Sequence, residues 1–196
     1  NNSIFQGEGD LLWSTLPHSL NITNCSFRSN GFQGAYIQIS TKLRLENNSF
    51  EKTGIYFPYA TNFEMIHSNN TVNGKSLVFI RNRDMKNSTL LANPGQIILH
   101  YVENLTIDSL DLSEGYIPIQ MFYASNISIL NTTISESLTG FSLEYSDCVR
   151  MENCSILNCG KGININGCTD FTFKDSSISE NRGWTDYSIY SGSIFN

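Results

Sequence analysis

The sequence predicts an all-β fold: a single-stranded, right-handed parallel β-helix of about eight rungs, with roughly 22 residues per rung. Three observations lead there. A short motif recurs, reading apolar, polar, apolar, any residue, Asn, two small or polar residues, apolar. A second alternating segment sits eight residues ahead of nearly every copy. The composition also opposes helices. Of 196 residues, 23 are Asn and 25 are Ser, while Ala, the best helix former, occurs only at Ala35, Ala60, Ala92 and Ala124.

In chain order, the first copy of the motif runs from Leu20 to Phe27 and the second from Leu43 to Phe50. Phe63 opens a looser copy, a degenerate one lies near Met85, and Leu105 opens another loose one. The last three are regular, starting at Ile127, Val149 and Phe171. The upstream segments carry the apolar pairs Ala35/Ile37, Ile55/Phe57, Leu77/Phe79, Ile97/Leu99, Ile119/Met121, Phe141/Leu143 and Ile163/Ile165. Alternation with period two is the mark of a half-buried strand. Gly34, Gly54, Gly140 and Gly162 stand directly before four of these segments. One rung cannot bury its own inner face, so rungs must stack at the strand spacing of about 4.8 Å. A leucine-rich repeat has similar periods, but the inward positions here mix Ile, Phe, Val, Met and Leu, and two strands recur per period. No linker interrupts the pattern, so residues 1–196 read as one domain with one continuous apolar column.

The net charge of −6 makes nucleic acid a poor partner, because phosphate binding needs clustered positive charge. No apolar run is long enough for a membrane helix.

The repeats resemble those of NosD-like and carbohydrate-binding/sugar-hydrolase parallel β-helix proteins, closest to the versions in surface proteins of methanogenic archaea. The carrying residues are Asn69-Asn70-Thr71-Val72-Asn73-Gly74-Lys75, Asn104-Leu105-Thr106-Ile107 and Asn126-Ile127-Ser128-Ile129. Thr71 to Lys75 looks like a connector seen between such repeats. The resemblance implies a fold rather than one activity, since the superfamily holds lyases, hydrolases, epimerases, adhesins and envelope components. Its NosD branch implies copper. However, His18, His67 and His100 share no register, and Met65, Met121 and Met151 fall on inward positions, with Met85 in the degenerate copy. No metal-ligand spacing is present, so no metal and no cofactor are expected.

Asn24, Asn47, Asn131, Asn153 and Asp175 each lie four residues after a motif start. They are expected to form a structural, internal ladder closed to glycosylation. Asn87, Asn104 and Asn126 are the better glycan acceptors among the many Asn-x-Ser/Thr sequons. Tyr59, Tyr101, Tyr123 and Tyr145 form a second column, read as an aromatic stack that stiffens a corner, with a sugar platform as the alternative. Acidic residues lie scattered, with only Glu144 and Asp147 near Arg150, and no catalytic dyad emerges. Cys148, Cys154, Cys159 and Cys168 crowd the C-terminal rungs and are candidates for disulfides, with buried free thiols as the alternative.

The expected function is therefore a structural, extracellular protein of the cell surface. It would be a homo-oligomer or polymer that self-assembles into an envelope layer, sheath or fibre. Low charge, spare cysteine and ends without a capping helix motivate this, with Leu11-Leu12-Trp13 and Trp184 as the alternative end plugs. A carbohydrate-binding or polysaccharide-degrading module is the alternative function, with glycans as partners.

Overall fold

The computed structural model describes residues 3–7, 11–15, 18–29, 34–38, 42–57, 64–90, 93–182 and 187–189. They form a right-handed parallel β-solenoid of about seven turns, without helix, whose turns repeat about every 22 residues. Three ladders run along the C-terminal turns. Ile97, Ile119, Phe141 and Ile163 stand in register, as do Leu105, Ile127, Val149 and Phe171. Leu112, Ile134, Ile156 and Ile178 make the third. The first two ladders are fully buried throughout, and each such side chain contributes about 1.5–3 kcal/mol when removed from water. In the N-terminal turns Leu20, Leu43 and Met65 align, and the rings of Phe5, Phe27 and Phe50 stack at 4.8 Å per step.

The columns of corners through Tyr123, Asn131 and Glu136 follow one rule. A left-handed residue turns the chain, and the residue after it points inward. Tyr123, Asn131 and Glu136, for example, have φ of 52, 48 and 48°, and the following Ala124, Thr132 and Ser137 are buried. The turn reverses the direction of backbone pairing. Asn131 N–H bonds upward to Glu152, whereas Thr133 N–H bonds downward to Leu110. The N–H between them is left without a backbone partner, and a buried amide cannot stay unpaired cheaply. The inward side chain of the next turn accepts from it. Ser146 Oγ takes the Ala124 N–H at 3.0 Å, Ser137 Oγ that of Gly115 at 3.2 Å, and Asn181 Oδ1 that of Cys159 at 2.8 Å. The same hydroxyl then donates to the carbonyl two residues back, as Thr132 does to Leu130 at 2.8 Å.

The structure corrects several expectations. The core is not one column. Leu105, Ile127, Val149 and their neighbours form one cluster, while Phe27, Leu45, Phe50 and Phe57 form a second that also takes in Ile98 and Phe122. The break lies at Thr71–Ser76. There Asn73 and Gly74, at φ 50 and 74°, close a tight hairpin with Val72 opposite Lys75. The reversal slips the next strand by one residue, and a slip of one exchanges the faces. Val78, not Leu77, therefore aligns with Ile97, and Val78 and Ile80 pack on the first cluster while Leu77 and Phe79 join the second. Phe63 lies outside the described residues, and the strand Glu64–Ser68 sets Met65 opposite Leu43.

The ladder of Asn24, Asn47, Asn131, Asn153 and Asp175 is not internal. All five are exposed and left-handed, because they are the turning residues themselves. Burial belongs to the next position, where Asn48 Nδ2 donates to Asn70 Oδ1 at 2.9 Å. The cysteines are free, and no disulfide joins Cys148, Cys154, Cys159 and Cys168. Cys154, Cys159 and Cys168 occupy the inward corner position, where a thiol does the work of a hydroxyl. Their Sγ atoms donate to Glu152, Leu157 and Asn166 carbonyls at 3.3, 3.4 and 3.3 Å. They also accept from the amides of Thr132, Ser137 and Ser146 in the preceding turn.

Candidate functional site

The outer face of the strands Gln96–Asp108, Ile119–Phe122 and Thr139–Glu144 is covered rather than exposed. Ile98, His100, Gln120, Phe122, Ser142 and Glu144 point outward from the solenoid core yet are buried. The strand Ile55–Tyr56 lies against them. Gln96 pairs with both backbone groups of Ile55, and Gln120 donates to the same Ile55 carbonyl. Tyr56 Oη donates to Glu144 Oε1 at 3.1 Å. Burial raises the Glu144 carboxyl above the usual range, with the Tyr56 hydrogen bond pulling the other way. Burial, followed by the Glu144 charge, pushes the Tyr56 phenol well above its ordinary value.

At the margin of this seam a solvent-open cleft of about 300 Å³ is lined by Met65, His67, Phe79, Ile80, Arg81 and Arg83. Strand register places Arg81 beside His100, and its Nε donates to His100 Nδ1 at 3.1 Å. The His100 ring is fully buried, edge-on to Tyr101 at 4.6 Å and Tyr123 at 6.3 Å. A buried imidazole fixed this way holds the guanidinium in one direction. Burial lowers the Arg81 pKa, opposed by the Tyr101 phenol, and a guanidinium remains charged in a protein. Burial lowers the His67 pKa too, which favours the neutral imidazole. The positive charge of the cleft therefore comes chiefly from Arg81 and Arg83. Among the described residues Arg83 has no carboxylate at ion-pair distance. Planar forks of donors beside aromatic edges suit planar anions and hydroxyl pairs.

The tyrosine column borders this region. Tyr101 and Tyr123 stack at 4.8 Å and 7°, Tyr123 and Tyr145 at 5.3 Å and 13°. Gly167 takes the next place, where an added Cβ would sit 2.8 Å from Tyr145 Cδ1. Stacked rings cover one another's faces, so the column presents edges and hydroxyls rather than a flat platform. Tyr59 lies outside the described residues, as does Trp184.

Other residues singled out in the sequence are dispersed. Glu144 is buried at the seam, Arg150 pairs with Glu152, and Thr169 Oγ1 donates to Asp147. The geometry does not suit copper. His100 Nδ1 is occupied by Arg81 and its ring is enclosed, His67 stands edge-on to Phe79 at 5.6 Å, and Met121 and Met151 are core. Asp147, Cys148 and Asp170 bring one ligand atom each within 4.8 Å of one another on the exposed surface. Asn87 and Asn126 are exposed and Asn104 is half-buried, all three at left-handed corners.

Arg81 and Arg83 were not among the expected site residues. Their signal was present as Arg81-Asn82-Arg83, with Lys86 close behind, a short cationic run in an acidic chain. The juxtaposition with His67 and His100 depends on pairing that spacing alone does not reveal.

A family model described as "Right handed beta helix region" matches residues 73–194. No curated protein matches the chain in sequence. Among solved structures, the A-module of a mannuronan C-5 epimerase from Azotobacter vinelandii is similar at 13% identity and a TM-score of 0.42. That match covers 89% of this chain and 63% of the module, so the chain spans less than two thirds of its length. A glycosyl hydrolase candidate from Parabacteroides merdae is similar at 12% identity and a TM-score of 0.40, over 87% of this chain and 83% of the other.

Proposed function

The chain belongs to the right-handed β-helix region family, and on that premise we propose that it is an extracellular carbohydrate-binding module whose site is the Arg81–Arg83 cleft. One observation carries this reading: the guanidinium of Arg81 is oriented by a buried histidine and opens, with Arg83, beside Phe79 and Met65. Ordering a guanidinium in advance removes part of the entropy cost of binding. Sugars bearing carboxylate or sulfate groups match the fork, and the apolar wall suits the C–H face of a ring. The self-assembling envelope layer rested partly on the chain's ends, and residues 1, 2 and 190–196 lie outside the described residues. No described feature favours it over the cleft.

Calorimetric titration with acidic and neutral oligosaccharides tests the proposal. Millimolar or tighter binding that drops at least tenfold in Arg81→Ala/Arg83→Ala supports it. Absence of binding to every sugar, or affinity unchanged by the double substitution, overturns it.

A further inference from the structure

Seven sequons sit at left-handed corners whose next residue points inward. Asn24, Asn47, Asn69, Asn104, Asn126, Asn131 and Asn153 all have φ between 48 and 57°. Each is followed by an inward residue and then by an outward Ser or Thr: Ser26, Ser49, Thr71, Thr106, Ser128, Thr133 and Ser155. The corner thus places the acceptor amide and the hydroxyl of Asn-x-Ser/Thr together on the outside. Six of the seven asparagines are exposed and Asn104 is half-buried.

Neighbouring acceptors touch. Asn69 Nδ2 donates to Asn47 Oδ1 at 3.1 Å, Asn126 Nδ2 to Asn104 Oδ1 at 2.6 Å, and Asn153 Nδ2 to Asn131 Oδ1 at 2.6 Å. Two of these columns end on a carboxylate, since Asn104 donates to Asp84 and Asn131 to Asp108, both at 2.9 Å. The turns are about 4.8 Å apart, less than the width of two pyranose rings side by side. From this we infer that the corners are N-glycan acceptors under an exclusion rule: within each neighbouring pair, 24/47, 47/69, 104/126 and 131/153, at most one asparagine carries a glycan.

The modification needs an activated sugar linked through phosphate to a lipid carrier. Asn Nδ2 attacks the sugar C1, the C1–O bond to phosphate breaks, and the amide proton leaves with the phosphate. The product keeps one N–H, which is enough to preserve the hydrogen bond to the next Asn in the column. Asn24 and Asn69 are two turns apart and are free to be occupied together, with Asn47 empty between them.

The test is site mapping on the chain secreted from a eukaryotic host. Folded material is treated with peptide N-glycosidase in heavy-oxygen water, which converts each released site to a labelled Asp. Occupancy in at least one pair, with the occupancies inside every pair summing to no more than one per molecule, supports the inference. Asn153→Gln, which keeps the amide and the ladder bond, should leave Asn131 occupancy equal or higher. Bare pairs, any pair summing above one in folded protein, or a fall at Asn131 in Asn153→Gln overturns it.

Discussion

The side-chain amide of Gln96 pairs with both backbone groups of Ile55, accepting its N–H on Oε1 at 3.0 Å and donating Nε2–H to its carbonyl at 2.7 Å. A glutamine thus takes the place of a neighbouring strand. Ile55–Tyr56 pairs with Ala35–Gln38 on one edge and would otherwise leave the Ile55 N–H on the other edge buried and unpaired. Gln96→Leu keeps the volume and removes both bonds. It should destabilise the protein by about 1–3 kcal/mol, read by urea denaturation, because the Ile55 N–H stays buried without an acceptor while its carbonyl keeps only the Gln120 bond. An unchanged midpoint would show that this edge is hydrated rather than sealed.

The three inward thiols behave as ladder members. Cys154→Ser should be nearly neutral, because a hydroxyl offers the same donor and acceptor. Cys154→Val should cost about 1–3 kcal/mol by orphaning the Thr132 amide. Equal losses in the two variants would remove the hydrogen-bonding role.

In native protein Cys148 should be the fastest thiol to react with a small alkylating reagent, and Cys154, Cys159 and Cys168 should react only after unfolding. Cys148 alone is exposed. Its thiol lies above its ordinary range, mainly through desolvation and then the Asp147 charge, so its labelling should accelerate toward alkaline pH. Rapid labelling of Cys168 in folded protein would contradict the burial.

Glu144 gives the seam a pH dependence. Its folded pKa is raised, so the unfolded chain loses this proton first as pH rises. The contribution is full below the unfolded carboxyl value and is lost as pH climbs through the folded one. Glu144→Gln keeps the bond with Tyr56 without the charge. It should raise the melting temperature at pH 8 and have little effect at pH 4, measured by calorimetry. A larger gain at acidic pH would reverse the argument.

Gly167→Ala should be costly for two reasons. Its φ is +63°, and the new Cβ would meet Tyr145 Cδ1 at 2.8 Å. A loss of about 1–3 kcal/mol in denaturation is expected, with a change in the tyrosine near-ultraviolet dichroism as the stack shifts. A neutral substitution would mean the column does not depend on that gap.

The regular ladders were legible because they repeat. Ile127, Val149 and Phe171 recur at one interval, and period-two alternation assigns their faces without further information. The corners were half legible. The period located Asn131 and Asn153 in one column. It did not reveal that a left-handed residue points out and its successor in, so the ladder was expected one residue too early. The cleft was not legible. His67 and His100 drew attention singly, and Arg81 and Arg83 drew none, because their meeting follows from a one-residue slip beyond the Asn73-Gly74 hairpin.

By itself the sequence determined that the chain winds in turns of constant length with mixed aliphatic and aromatic residues inside, because burying a periodic apolar face leaves few other choices. Only the tertiary structure decided that the core divides in two, that Gln96, Gln120 and Glu144 are buried beneath Ile55 and Tyr56, and that the cysteines serve as hydrogen-bonding corner residues. The reason is physical: a repeat specifies contacts one turn away, whereas the seam joins residues 41, 65 and 88 positions apart whose complementarity leaves no period to read.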